Sequence, residues 1–168
     1  QWTFEDVARY GGDPTRGTLA GHSAGAYNVI MAAFERQWIG EKGHDADQLS
    51  GVVGLSGPYD FYPFDSDSTI AAFGPATDPE ATQVFNHVRA DAPPALLIHG
   101  EKDTLVRPRN SRELGKMIET AGGDATVQLY PEMEHNDPLI SLAPPWRGSR
   151  DVVDSIANFA LQAGAKSE

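Results

Sequence analysis

Short apolar runs alternate along the chain with longer stretches in which apolar residues recur at helical spacing. The short runs cover 17–20, 51–56, 95–99 and 126–130, and most of them end next to glycine or proline. Continuous apolar runs of this length predict strands that are buried on both faces, as in the interior of a parallel sheet. The run at 95–99 is the most strongly apolar of the four.

Helical spacing of apolar residues separates these strands. The pattern predicts helices over 2–10, 24–38, 107–121 and 150–162, with a further helix expected within 79–90. Strands that alternate with helices favour an α/β fold, in which a mainly parallel sheet of about four strands is flanked by helices. A length of 168 residues suits a single domain over the whole chain.

A serine between two glycines lies where the first predicted strand gives way to a helix. The segment Gly21-His22-Ser23-Ala24-Gly25 matches G-x-S-x-G, in which a sharp strand-to-helix turn exposes a nucleophilic serine. The backbone N–H of Ala24, at the start of the helix, is the predicted oxyanion donor. The structural alternative is that Ser23 simply caps the helix.

A nucleophilic serine needs a histidine as general base. His135 follows the last predicted strand and is therefore the preferred candidate. His99, at the end of the third strand, is expected to be packed or hydrogen-bonded. His44 and His87 are predicted to face solvent, and His22 lies too close in sequence to turn back onto the serine.

The acid that orients the base is expected after a strand that lies between the serine and the histidine in sequence. Asp103 follows the strongest strand within Gly100-Glu101-Lys102-Asp103 and is the preferred candidate. Asp60, after the preceding strand, and Glu101 remain alternatives. Asp103 also fits a structural role, since aspartate commonly forms turns or caps helices.

Aromatic residues follow the second strand, in a stretch over 59–79 that is predicted to be irregular. Tyr59 and Phe61, together with His22, are the predicted substrate-binding residues, because they lie near the same strand ends as the serine. The aromatic side chains could equally pack the loop onto the body of the protein, and the sequence does not separate these two interpretations.

Composition narrows the range of partners. Thirteen basic and 24 acidic residues give a net charge of −11, which disfavours nucleic acids and anionic membranes as partners. The absence of cysteine excludes disulfides and thiolate chemistry. No metal-binding or phosphate-loop motif is present, so no metal or cofactor is expected. No export signal or membrane-length apolar run is visible, which favours a cytoplasmic location.

These motifs in combination resemble the α/β-hydrolase superfamily, and within it the carboxylesterases related to hormone-sensitive lipase and the BD-FAE-like esterases. The similar segments are 10–14, 19–25, 55–60, 94–103 and 134–135, which together span almost the whole chain. The resemblance implies a catalytic triad of Ser23 as nucleophile, His135 as base and Asp103 as acid, acting without a cofactor.

The chain departs from this family in one respect. Members of the family carry about four further strands and a His-Gly-Gly-type loop before the serine, and that loop supplies a second oxyanion donor. We therefore expect a partial fold with an exposed edge at the first strand, covered by a complementary amino-terminal chain or in a homodimer. A trimmed piece of a longer enzyme is the simpler form of this expectation.

Three functions remain open from the sequence. The first is hydrolysis of carboxylic esters with small or medium acyl groups, through an acyl-enzyme. The second is hydrolysis of an amide or formamide by the same triad. The third is a catalytically weak or inactive module that acts through its exposed strand edge.

Overall fold

A parallel sheet forms the centre of the structure, a computed structural model that describes residues 1–148 and 150–165. Its strands are β1 (Thr18–His22), β2 (Gly51–Leu55), β3 (Ala95–Gly100) and β4 (Ala125–Tyr130). In the described part of the chain they form one four-stranded sheet in the order β1-β2-β3-β4, with every pair parallel. The predicted fold class is confirmed, and the predicted strands lie where the apolar runs placed them.

Helices connect and follow these strands. They are α1 (Trp2–Asp6), α2 (Ala24–Phe34), α3 (Gln37–Gly40), α4 (Asp67–Phe73), α5 (Arg109–Ala121), α6 (Asp137–Ile140) and α7 (Val152–Ala165). Short 3-10 segments lie at Val7–Tyr10, Pro14–Arg16, Ala46–Gln48, Glu80–Thr82 and Val84–His87. No helix among the described residues is long and apolar enough to cross a bilayer.

Two apolar clusters sandwich the sheet. On one face, α2 and α5 contribute residues such as Ile30 and Leu114, which pack with Val52 and Leu97 of the central strands. On the other face, the central strands pack against α7, including its buried residue Val152. Because successive side chains of a strand point to opposite faces, β2 and β3 supply apolar residues to both clusters, and every residue of these two strands is buried.

The predicted helix over 24–38 is interrupted at Glu35, whose backbone is extended with φ −98° and ψ 101°. The side chain of Arg89 accounts for the break. Its guanidinium donates to the carbonyl groups of Phe34 and Ala33 at 3.0 and 2.9 Å, and thereby satisfies acceptors at the end of α2. The chain then turns and starts the separate helix α3.

Two further expectations were wrong. The stretch 59–79 is not wholly irregular, because α4 forms within it and begins with a capping box between Ser66 and Thr69. The single helix expected within 79–90 is instead two 3-10 segments separated by Gln83, whose backbone is extended. The buried Gln83 side chain accepts a hydrogen bond from the Phe61 N–H at 2.7 Å, so tertiary contacts override the helical pattern there.

The close approach of the first turn of α2 to β1 depends on Gly21. A Cβ atom at this position would lie 2.2 Å from the carbonyl oxygen of Gly25 and 2.8 Å from the backbone nitrogen of Ala26. Backbone atoms cannot move aside as a flexible side chain can. Glycine at this position therefore allows the first turn of α2 to lie directly against the strand.

A matched pair of glycine variants tests this close approach. We expect Gly21→Ala to lower the free energy of unfolding by about 2 kcal/mol or more through overpacking. Gly25→Ala should be neutral or raise it by up to about 1 kcal/mol, since a Cβ there meets nothing within 4 Å and alanine favours the helix. Urea denaturation of both variants checks this, and equal effects would contradict it.

Candidate active site

Ser23 forms the whole turn between β1 and α2. Its backbone angles, φ 55° and ψ −123°, lie in a region that residues other than glycine rarely adopt, at a cost of about 1–3 kcal/mol. Its N–H donates to the carbonyl of Leu55 at 2.8 Å, and its carbonyl accepts from the N–H of Ala26 at 2.9 Å. The neighbouring strand and the helix thus hold the strained turn from both sides.

His135 lies in the loop between β4 and α6, and its imidazole is placed against the serine. Its Nε2 lies 3.0 Å from Ser23 Oγ, and its Nδ1 lies 2.7 Å from Asp103 Oδ2. The side chain is mostly buried, with 12 % of its surface exposed. The three residues, which are widely separated in sequence, therefore form one continuous hydrogen-bonded chain.

Asp103 lies just after β3, and its carboxylate is completely buried. One oxygen, Oδ1, accepts hydrogen bonds from the backbone N–H groups of Leu105 and Val106 at 2.9 and 2.8 Å. The other oxygen, Oδ2, faces the imidazole of His135. Partners at both oxygens thus hold this buried carboxylate in one position.

The alternative acids and bases have other hydrogen-bond or ion-pair partners than Ser23. Asp60 pairs with Arg109 at 3.2 Å, and Glu101 forms an ion pair with Arg112. The imidazole of His87 pairs with Glu35 at 2.8 Å, and that of His44 lies 3.3 Å from Glu5. His99 is buried, as expected for a packed, hydrogen-bonded histidine.

His22, for which substrate binding stays a prediction, contacts the loop of the candidate base. Its Nε2 donates to the backbone carbonyl of His135 at 2.9 Å, and the two imidazole rings lie 4.9 Å apart. The hydrogen bond ties the loop of the candidate base to the end of β1. His22 therefore supports the base loop, a contact that no sequence pattern predicts.

Tyr59 does not fit the predicted substrate pocket. Its side chain is fully buried in the core against β2, where its hydroxyl would lie 2.0 Å from a Cβ atom at Gly54. This burial raises the pKa of Tyr59 well above its usual value. A ring that is enclosed by the core has no surface left for a substrate, so this prediction is corrected.

The surroundings of Phe61 are compatible with both interpretations that the sequence left open. Its ring packs against Tyr27 and Phe73 with centroid separations of 5.4 and 5.2 Å, so it helps to fasten the loop after β2 to the body. It also lines a cavity of about 390 Å³ together with Leu105 and Arg109, among others. Substrate binding by Phe61 therefore stays a prediction.

Ala24 is the first residue of α2. The first N–H groups of a helix have no acceptor within the helix and point outward from its positive end. This position next to Ser23 suits a donor to an oxyanion. Among the described residues, no group of three or more His, Asp or Glu side chains is arranged to hold a metal ion.

The strain at Ser23 gives a stability prediction. Glycine adopts a positive φ freely, whereas alanine keeps the strain, so Ser23→Gly should be more stable than Ser23→Ala by about 1 kcal/mol. Both variants lack the hydroxyl, and the comparison therefore isolates the backbone. Urea denaturation measures the difference, and an alanine variant as stable as the glycine variant would contradict the expected strain.

Comparisons with known proteins agree with this geometry. The BD-FAE family model matches residues 1–118. The Mycobacterium tuberculosis protein Esterase LipQ is 30% identical, over 94% of this chain and 40% of its own length. Isoprenylcysteine alpha-carbonyl methylesterase ICME of Arabidopsis thaliana is 26% identical, over 87% of this chain and 39% of its own. The chain thus spans about two fifths of the length of these curated relatives.

Solved structures give the same fold. The apo form of Thermogutta terrifontis esterase 2 superposes with a TM-score of 0.76 at 17% identity, over 97% of this chain and 61% of that chain. The same esterase with propionate bound gives a TM-score of 0.73. Together with the family model, which covers more than half of the sequence, these matches establish that the chain belongs to the BD-FAE family and has an α/β-hydrolase fold.

Proposed function

We propose that this chain carries the catalytic triad of a serine esterase that cleaves carboxylic esters of small or medium acyl groups. One observation carries the proposal: Ser23 Oγ, the imidazole of His135 and the carboxylate of Asp103 are joined by contacts of 3.0 and 2.7 Å. The positive φ of Ser23 is a second feature that a nucleophile elbow requires.

In the proposed mechanism, Asp103 accepts a hydrogen bond from Nδ1–H of His135 and so leaves the lone pair of Nε2 facing the serine. Nε2 takes the proton of Ser23 as Oγ attacks the ester carbonyl. The resulting oxyanion accepts a hydrogen bond from the N–H of Ala24. The imidazolium then protonates the leaving alcohol, and an acyl-enzyme remains on Ser23.

Water completes the cycle by the same route. His135 removes a proton from the water molecule as its oxygen attacks the acyl carbonyl, and then returns that proton to Ser23 Oγ. The products are a carboxylic acid and an alcohol, and no cofactor enters the balance. The contact between His22 and the backbone of His135 supports the position of the base throughout both steps.

Ester substrates are favoured over amides by the comparisons. Two relatives bear the names Esterase LipQ and isoprenylcysteine alpha-carbonyl methylesterase, and the structural neighbour is an esterase. An ester also has a better leaving group than an amide and is therefore cleaved more readily. We therefore place the amide or formamide reaction second.

A second oxyanion donor is proposed to come from outside the described chain. Ala24 supplies one N–H, and the loss of one oxyanion donor typically lowers the rate by about 10²–10³. The curated relatives are more than twice as long as the segment that this chain matches. We accordingly expect measurable but weak turnover when the chain is assayed by itself.

Short-chain p-nitrophenyl esters test the proposed reaction. We expect Ser23→Ala to reduce turnover to the uncatalysed background, and Asp103→Asn to lower kcat by about 10³–10⁴ because the wrong imidazole tautomer is favoured. Ser68→Ala, at an exposed serine of α4, is the matched control and should keep wild-type activity. Equal turnover by the wild type and Ser23→Ala would contradict the proposal.

The edge of β1 that lies away from β2 is a candidate surface for binding a partner. Within the described residues β1 pairs only with β2, so its other edge offers backbone donors and acceptors. We propose that a complementary amino-terminal segment covers this edge and that, without it, two copies of the chain associate there.

Light scattering at micromolar concentration tests the proposed association. We expect a mass of about twice 18.1 kDa for the chain by itself, because β1 has no second strand partner among the described residues of each copy. A monomer at the single-chain mass would contradict the association through that edge.

A further inference from the structure

A second buried imidazole lies directly behind the candidate acid. His99 is on β3, one residue before the strand ends, and its side chain has no exposed surface. Its Nε2 lies 2.8 Å from the carbonyl oxygen of Val106 and 3.2 Å from Asp103 Oδ2. Its Nδ1 lies 2.8 Å from the hydroxyl of Ser111, on the first turn of α5.

These contacts determine which nitrogen of His99 carries the proton. The Val106 carbonyl can only accept a hydrogen bond, so Nε2 must be the protonated, donating nitrogen. Burial lowers the pKa of His99 and thus favours the neutral ring. In a neutral ring Nδ1 is then an acceptor, and the hydroxyl of Ser111 donates to it. The hydroxyl of Ser111 therefore satisfies Nδ1 in the tautomer that presents Nε2–H to the Val106 carbonyl and to the acid.

The Nε2–H of His99 reaches the oxygen of Asp103 on which the candidate base also depends. Oδ1 is held by two backbone N–H groups, from Leu105 and Val106, whereas the partners of Oδ2 among the described residues are the side chains of His99 and His135. His99 is held by a central strand and a helix, and its position is therefore fixed independently of the base loop.

We propose that His99, oriented by Ser111, is a positioning residue that fixes Oδ2 of Asp103 for its hydrogen bond with His135. The inference rests on the proposed function for its catalytic consequence, since Asp103 matters to turnover only if it orients the base. The same Nε2–H also fastens the loop after β3 through the carbonyl of Val106. The acid is thus held by a side chain of the sheet as well as by its own loop.

Two variants of similar size separate positioning from packing. His99→Gln retains a side-chain N–H group near the place of Nε2, whereas His99→Leu fills the space without any donor. We expect His99→Leu to lower kcat for a p-nitrophenyl ester about tenfold, with KM within about twofold of wild type. His99→Gln should keep kcat within about threefold of wild type.

Proton NMR gives a readout that does not require turnover. The Nδ1 proton shared by His135 and Asp103 should be strongly deshielded in the wild type and in His99→Gln, and weakened or absent in His99→Leu. If the wild type has no esterase activity, the proposed function fails while this spectral comparison still decides the positioning role. An undiminished His135 proton signal in His99→Leu would overturn the inference. So would a loss of this signal that is equal in both variants and proportional to their loss of thermal stability.

A milder variant covers the case in which His99→Leu does not fold. Ser111→Ala keeps the imidazole and removes only the donor to its Nδ1. We expect the ¹⁵N shift of His99 Nδ1 to move toward that of an acceptor without a hydrogen bond while Nε2 stays protonated, together with a weaker His135 proton signal. Unchanged ¹⁵N shifts and an unchanged His135 signal would overturn the role assigned to Ser111 and His99.

Discussion

Parallel pairing of the four strands is the constraint on which the rest of the structure depends. The register aligns His22 with Leu55, Leu55 with Ile98, and His99 with Leu129, so the strands end at one common edge. The loops after β1, β3 and β4 must therefore meet above that edge. Side chains that are as many as 112 residues apart come within hydrogen-bonding distance without any long excursion of the chain.

Burial explains why the candidate acid has so many partners. A carboxylate without water is costly unless its oxygens are hydrogen-bonded, and Asp103 receives backbone donors on one oxygen and faces imidazoles at the other. At the opposite end of the hydrogen-bonded chain, Ser23 keeps a strained backbone because Leu55 and the start of α2 hold it. The imidazole of His135 thus lies between two partners, Ser23 and Asp103, that are each held by their own backbone contacts.

The sequence predicted the strands and the geometry around the serine because both depend on local signals. Continuous apolar runs identify buried strands, and Gly21 and Gly25 flank Ser23 where a tight turn needs them. His135 and Asp103 followed from their places after strand ends. Such residues can be predicted without knowledge of tertiary contacts, because parallel topology alone brings the strand ends together.

The features that the sequence did not predict depend on contacts between segments that are distant in sequence. The sequence did not reveal that Arg89 would end α2, that Gln83 would break the helix expected within 79–90, or that Tyr59 would turn into the core. The hydrogen bonds of His22 and Ser111 likewise link segments with no shared pattern. Such side-chain contacts produce no periodic pattern in the sequence, so they are visible only in the folded structure.

Covalent labelling tests the central claim most directly, because a fluorophosphonate reacts only with a serine whose proton is removed by a positioned base. The account predicts one phosphonyl group per chain, located on Ser23 by peptide mass spectrometry, and no label on Ser23→Ala. An unlabelled wild-type chain, or equal labelling of Ser23→Ala, would contradict the view that Ser23, His135 and Asp103 act as one catalytic unit.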